Sequence, residues 1–526
     1  MPIARSSHPA PGRLARAAGR GAATALAAAA VGCGAGGDEN ADPARIAPPA
    51  SALYVVAAVG PQAGQAEAVE RIGRTVFRVS DPGARLQQLV DQSLQRNRAT
   101  RNVSYADDVE PWLGRRAALV VIRPPRGRRA TAAIFAAKDT GAAGRLVDRV
   151  ATEASPRWPQ RSYRGVRYRF DPSDASAQGV VGDYLVAGDE PAFEAVVDAF
   201  ETGHGLAAAP AYRSIAGDGR GKLAFGYVDV DRAAPVLGAG GALAGGLLRS
   251  LIGEAPRARP ITLSLSAAAD GATLDTVVRG GGSSLPADRA ASLVARLPGD
   301  AWLALGLPLV GRSLGRALAQ LGGGPVRSLG GAAGRTVRRR SGLLLHRGAL
   351  SGLQDVALFA RGSSRLTAGA GIVAATSDPA GARRLVAGLR RLVQHEAVGA
   401  GVRTSAASIA GAHGFRVLTP RLPGPIDVVA SGDRVVAAYG DATTRDALGT
   451  GNPLAAAPQY RAAQASLDGA PPAMLLDFAP VAALAAGGNG PAAQRASAYL
   501  SALRTLALGW RGRDDRRIGR MVVRLR

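Results

Sequence analysis

The residues best placed for covalent chemistry are Gly311-Arg-Ser-Leu-Gly315, a G-x-S-x-G run, with Asp378 and then His395 or His413 downstream. A serine on a tight strand-to-helix turn, followed by an acid and a histidine in that order, is the arrangement of an α/β-hydrolase nucleophile. The apolar run Trp302–Leu307 offers the strand that would precede Ser313. Pro308 interrupts the turn, and G-x-S-x-G arises readily in a chain with 69 glycines. The reading is therefore against catalysis at Ser313. Asp107, Asp108 and Glu110 are three acids that could hold a hard cation, but they lack the spacing and the glycine of a calcium loop. Gly217–Lys222 lacks the first glycine of a phosphate loop and has Leu223 where Ser or Thr must reach magnesium. The five histidines are scattered, and with one cysteine there is no thiolate cluster, so neither metal nor cofactor is expected. Asp229 and Asp477 fall at equivalent strand ends and read as helix caps.

The sole cysteine, Cys33, gives an address instead. Residues 1–20 carry four arginines and no acid, and Gly21–Gly32 is a short apolar run. That run is too short for a membrane span, which needs about 20 apolar residues, and fits a signal peptide over 1–32. Ala30-Val31-Gly32-Cys33 resembles a lipobox, in which the cysteine thiol is acylated and becomes the new N-terminus; Ala28-x-Ala30 leaves an ordinary cleavage site as the rival. Gly34–Pro49 is rich in Gly, Pro and acid and reads as a flexible tether over residues 33–49. The expected partner is thus the membrane, through a lipid such as palmitate on Cys33.

The formal charge of +25 resides almost wholly in arginine, in runs at Arg123–Arg129, Arg157–Arg169, Arg335–Arg340 and Arg511–Arg526. Their dispersal argues against a single nucleic-acid groove, and export removes a cytosolic substrate. An anionic envelope polymer remains a partner such a surface could attract. With aromatics at 4%, the cores are expected to be Leu, Val and Ala with few large anchors.

The elements must carry whatever chemistry exists. Ala52–Val59 reads as a strand, Gln65–Phe77 and Asp81–Arg96 as helices, the second capped by Asp81 with Leu86, Leu89, Val90 and Leu94 on one face. Tyr105–Gly114 (YADDVEPWLG) then runs into the strand Ala117–Ile122. Trp112 reads as a buried wedge, Pro111 as the end of a helical turn, and Gly114 as the sharp turn into the strand. Tyr105, Asp108, Val109, Pro111, Trp112, Leu113 and Gly114, together with an early Ala-Leu-Tyr-Val strand, resemble an actinobacterial envelope-protein family catalogued only as a domain of unknown function. The resemblance covers the chain from about Pro48 onward. It implies an exported two-part protein and supplies no activity.

Further strands and helices alternate to a hairpin, Ile261–Ala267 and Thr273–Arg279, with adjacent strands antiparallel, so the fold class is α+β. Tyr163–Phe170 (YRGVRYRF) interleaves Arg with aromatics, as nucleic-acid readers do, but alternation on one exposed strand explains it more simply. Several fragments recur. Leu206–Arg213 (LAAAPAYR) returns as Leu454–Arg461 (LAAAPQYR), Arg145-Leu146-Val147 as Arg384-Leu385-Val386, Gly182-Asp183 as Gly432-Asp433, and Val277-Val278-Arg279 as Val522-Val523-Arg524. The collinear matches imply two homologous tandem units, 50–281 and 297–526, joined by a linker over 282–296.

The expected function is a non-enzymatic, lipid-anchored binding or scaffolding module of the envelope. The alternative is a carrier of an apolar envelope ligand, suggested by the nearly side-chain-free Leu237–Ile252.

Overall fold

The computed structural model describes residues 41–59, 63–97, 99–124, 129–154, 156–237, 260–279, 286–308, 352–364, 367–396, 401–420, 422–487, 490–513 and 516–526. Cys33 and the signal peptide, Ser313, the run Arg335–Arg340 and nearly all of Leu237–Ile252 lie outside them. The chain is α+β and divides into two compact units. The first holds the chain to Val236 together with Ala258–Ala269, and the second takes everything from Asp270 onward.

In the first unit the order is β1 (Leu53–Ala58), α1 (Ala63–Phe77), α2 (Pro82–Arg96), β2 (Leu113–Ile122), β3 (Ala130–Ala137), α3 (Thr140–Glu153), β4 (Gln160–Tyr163), β5 (Val166–Asp171), β6 (Ser176–Val181), β7 (Tyr184–Asp189), α4 (Glu190–Thr202), α5 (Pro210–Arg213), β8 (Ala224–Val228), α6 (Val230–Leu237) and β9 (Ile261–Ala268). Every pairing is antiparallel, in the order β9-β8-β1-β2-β3-β7-β6-β5-β4. Alternate residues of β7 serve opposite faces, as the pleat requires. Tyr184 and Val186 join a core with Phe193, Val196 and Val197 of α4, while Leu185 joins Ala143 and Val147 of α3.

The second unit comprises β10 (Gly271–Arg279), α7 (Pro286–Ala295), β11 (Ala301–Leu307), β12 (Leu353–Arg361), β13 (Gly369–Thr376), α8 (Pro379–Glu396), β14 (Arg403–Ile409), β15 (Ala412–Leu418), β16 (Ile426–Ser431), β17 (Arg434–Tyr439), α9 (Asp441–Arg445), α10 (Pro458–Ser466), β18 (Pro472–Asp477), α11 (Phe478–Ala486), α12 (Pro491–Leu500), β19 (Leu503–Arg513) and β20 (Arg516–Leu525). Its antiparallel order is β10-β20-β19-β18-β11-β12-β13-β17-β16-β15-β14. From β19 to β14 this repeats, strand for strand, the nine-strand order of the first unit.

Local geometry repeats with it. Leu206 N–H donates to Ala47 O at 2.7 Å, and Leu454 N–H to Leu297 O at 2.7 Å. Ala137 N–H donates to Asp183 O at 2.9 Å, and Thr376 N–H to Asp433 O at 2.8 Å. Gly182 and Gly432 turn their hairpins at φ 55° and 56°. Tyr212 and Tyr460, the tyrosines of the recurring octapeptide, are both buried beneath it.

Four expectations need correction. First, residues 41–49 are not tether. Ala44, Ile46 and Ala47 are buried in the main core of the first unit, Asp42 caps the 3-10 turn Pro43–Arg45, and the Tyr184 hydroxyl donates to Asp42 O at 3.0 Å. Second, most of 282–296 is not linker, because α7 buries Ala290, Ala291, Leu293 and Val294 at helical spacing. Third, the first unit does not extend to 281, since β10 belongs to the second compact unit. Fourth, the first core is rich in rings. Tyr54, Tyr168, Phe170, Tyr184, Phe193, Tyr212, Phe225 and Tyr227 share it, with Tyr212 edge-on to Tyr54 at 5.7 Å. The few aromatics are concentrated, not thinly spread. The helix α2 forms as read, with the Asp81 carboxylate accepting from Ala84 N–H at 2.8 Å; none of its residues is buried, and Leu89 is 45% exposed.

Candidate functional site

The Tyr105–Gly114 segment is a structural joint. Ser104 caps a π-helical turn, Tyr105–Val109, by accepting from Asp107 N–H at 3.0 Å. Tyr105 N–H donates to Asp91 of α2 at 2.7 Å, tying that helix to the turn. Trp112 is buried, its indole N–H donates to Asp108 O at 2.8 Å, and its ring meets Phe135 edge-on at 6.3 Å. Pro111 follows the turn as expected. Gly114 is needed for a different reason from the one read in the sequence: a Cβ there would lie 2.9 Å from Ala136 O on the neighbouring strand. The Asp108 carboxylate accepts from Ser104 N–H at 2.8 Å and pairs with Arg149 of α3. Burial alone would raise this carboxyl, but the Arg149 guanidinium and the Ser104 N–H hold it below the usual carboxylate range. Two of the segment's three acids are thus occupied, Asp108 by Ser104 N–H and Arg149 and Asp107 by the Ser104 hydroxyl, which donates to it at 2.9 Å. Among the described residues no three His, Cys, Asp or Glu side chains gather as a metal site.

The histidine and acid read as partners of Ser313 have other surroundings. Asp378 caps α8, its carboxylate accepting from Gly381 N–H at 2.6 Å, and this bond holds the carboxyl below its usual range. His413 is exposed on β15, opposite Ala430, and His395 belongs to α8. Asp229 and Asp477 cap as read: Asp229 accepts from Arg232 N–H at 3.1 Å, and Asp477 from Ala479 N–H at 3.0 Å.

YRGVRYRF is two strands, not one. Arg164 and Gly165 take φ of 44° and 82°, the pair of positive values that makes a two-residue hairpin turn between β4 and β5. Two of its three arginines face acids, Arg164 pairing with Asp198 at 2.6 Å and Arg169 with Asp148 at 2.7 Å, while Arg167 is exposed; just before it, Arg161 pairs with Glu190 at 2.7 Å. Arg161 also lies 3.5 Å above the Phe170 ring. The C-terminal basic run behaves likewise, with Arg511 on Asp468 at 3.1 Å and Arg524 on Asp270. Pairing of this kind leaves these side chains little to offer a polyanion.

One depression of about 410 Å³ opens in the second unit, between Asp300, Arg361, Asp446, Pro453 and Gln459. Its one trace in the sequence is the octapeptide. Gln459 is the single residue by which LAAAPQYR differs from LAAAPAYR, and its side-chain amide donates to Gly299 O at 2.8 Å. Arg361 bonds Asp300 at 2.8 Å and also Asp446, so the charges at its floor already satisfy one another.

Among the described residues no helix is long and apolar enough to cross a membrane. No curated protein matches the chain. Two solved structures, "Structure of crystal form I of TP0453" and "Structure of crystal form IV of TP0453", are similar at 10% identity. The first has a TM-score of 0.26 and covers 46% of this chain and 80% of that one. The second has a TM-score of 0.24 and covers 45% and 81%. At these values neither informs fold or function. A family model described as "Protein of unknown function (DUF3352)" matches residues 22–316, more than half of the 526-residue chain, and the protein belongs to that family.

Proposed function

We propose that the protein is an exported envelope protein, anchored by a lipid on Cys33, whose two units arose by duplication and act as a non-enzymatic binding or scaffolding module. One observation supports the non-enzymatic reading. Four of the acids that the sequence offers for chemistry, Asp108, Asp229, Asp378 and Asp477, serve as caps or ion-pair partners. The anchor rests on the basic leader and the small residues before the only cysteine. A single acyl chain binds a membrane marginally and several hold it firmly. Metabolic labelling with an alkyne fatty acid tests this. Wild type should be labelled and sediment with membranes, and Cys33→Ser should be unlabelled and released. A wild type without lipid, alongside a Cys33→Ser protein still bound to membranes, would remove the anchor. Labelling by a fluorophosphonate that is lost in Ser313→Ala would remove the non-enzymatic reading.

The second reading, carriage of an apolar ligand, is favoured by the apolar sheet face of the second unit.

A further inference from the structure

Residues directly opposite one another in an antiparallel ladder share a face of the sheet. In the second unit Leu274, Met521, Leu508, Met474, Leu305, Leu358 and Ile372 are successive partners across seven neighbouring strands, from β10 to β13. Beside them runs a second row through Val523, Leu506, Leu476 and Leu303. Neither row contains a charged or hydrogen-bonding side chain. These residues are half-buried except Ile372, which is 42% exposed, and none belongs to the buried cores that the described residues of the unit form. The face is the one that α8 covers farther along the sheet, through Val356, Ala374 and Val435. At the other side α11 follows directly from β18 and packs along β19 and β11.

A row this long of partly buried apolar side chains, ending at the exposed Ile372, has the lining that an apolar ligand needs. Its shape selects the occupant. The strip is two residues wide, about 7 Å along each strand, which suits a linear chain better than a flat protein patch. Its composition agrees: Met474 and Met521 are the only methionines after Met1, and both fall on one row, where a soft, unbranched side chain can follow a flexible ligand. Arg504 lies at the bulge where β19 slips one residue against β20, next to the end of the second row at Leu506; it is exposed and makes no ion pair among the described residues. From β19 to β13 is four strand spacings, about 19 Å. An acyl tail spans half the hydrocarbon core of a bilayer, about 15 Å.

We propose that this face binds a fatty-acid carboxylate, its tail lying across β18, β11 and β12 toward Ile372 and its head at Arg504. The proposal deepens the second reading above and rests on it.

The full chain, purified, is titrated with cis-parinaric acid, and bound probe is displaced by palmitate. Wild type should bind. With palmitate saturating, dilute peroxide should oxidise Met474 and Met521 about fivefold more slowly, read by peptide mass spectrometry, because a covered thioether is shielded. Leu508→Glu places a charge in mid-row and should weaken binding about tenfold or more. Arg504→Gln, exposed and safe for folding, should weaken palmitate but not hexadecanol. Binding by wild type with no methionine protection and an unchanged Arg504→Gln would overturn the site and leave the carrier reading standing. No binding by wild type would overturn both. The Cys33 experiment reports on the anchor independently.

Discussion

Arg520 grips Asp275 through two side-chain hydrogen bonds, Nε to Oδ1 at 2.7 Å and Nη2 to Oδ2 at 3.1 Å, at the middle of the β10–β20 ladder. The ladder runs from Gly271 opposite Arg524 to Arg279 opposite Arg516, with Asp275 and Arg520 as the central pair. If β20 paired with a second β20 in the same register, Arg520 would meet Arg520 and Arg516 would meet Arg524. The carboxylate of β10 therefore makes this strand the favoured neighbour of an arginine-rich edge, a task that unpaired edges leave to charge.

That gives a first prediction. Asp275→Arg should destabilise the second unit by roughly 1–2 kcal/mol, since like charges directly opposite repel where an exposed pair contributes less. The double variant Asp275→Arg/Arg520→Asp should recover part of the loss. It should not recover all of it, because Asp468 also pairs with Arg520 and would then face a carboxylate. Urea denaturation of both variants checks this, and a double variant no better than the single would remove the pair's role.

Trp112 offers a second. Trp112→Ala should cost about 3–5 kcal/mol as a large buried ring is lost. Trp112→Phe should cost less, because it keeps the edge contact with Phe135 while leaving Asp108 O without its donor, about 1 kcal/mol. Denaturation midpoints for the pair separate packing from hydrogen bonding. Equal losses would mean that the indole N–H matters as much as the ring.

A third concerns acid. The Asp108 carboxyl is lowered in the folded chain although burial opposes this, through Arg149 and Ser104. Asp441 is lowered chiefly by its hydrogen bond to Arg416. A folded pKa below the unfolded one means that the stabilisation is complete above the unfolded value, about 4, and is lost as pH falls through the folded value. Asp108→Asn and Asp441→Asn should therefore be less stable than wild type at pH 7, with the gap closing below about pH 4. Denaturation at a series of pH values reads this directly; a gap that stays constant would show that the charge is not the source.

Much of the plan was legible because it rests on local signals. The caps Asp81, Asp229 and Asp477, the wedge Trp112 and the hairpin glycines Gly182 and Gly432 act within a few residues of themselves. The recurring fragments were legible for the same reason, and they foreshadowed the repeated strand order. What stayed hidden depends on partners distant in the chain. Arg161, Arg164 and Arg169 look like a free basic stripe until Glu190, Asp198 and Asp148 arrive from two helices. The Leu274–Ile372 row crosses seven strands whose order the sequence does not spell out. The octapeptide differs at one position only, and that Gln459 borders the depression beside Arg361 could be known only once Gly299 was seen against it.

The segment before β1 carries the last prediction. Its Gly, Pro and acid content reads as tether, yet Leu206 N–H reaches Ala47 O and Tyr54 hydroxyl reaches the Asp42 carboxylate at 3.3 Å. Gly205 packs so closely that a Cβ would lie 1.8 Å from Arg45 O. Removing residues up to 49 would uncover the aromatic core around Tyr54 and Tyr184, forfeiting the burial of Ile46 and two alanines, about 3 kcal/mol or more in all. Gly205→Ala should push the same segment off without shortening the chain. Both variants should lower the melting temperature of the first unit by several degrees, whereas truncation at 40 should leave it unchanged. A chain starting at residue 50 that melts with wild type would return the segment to the status of a tether.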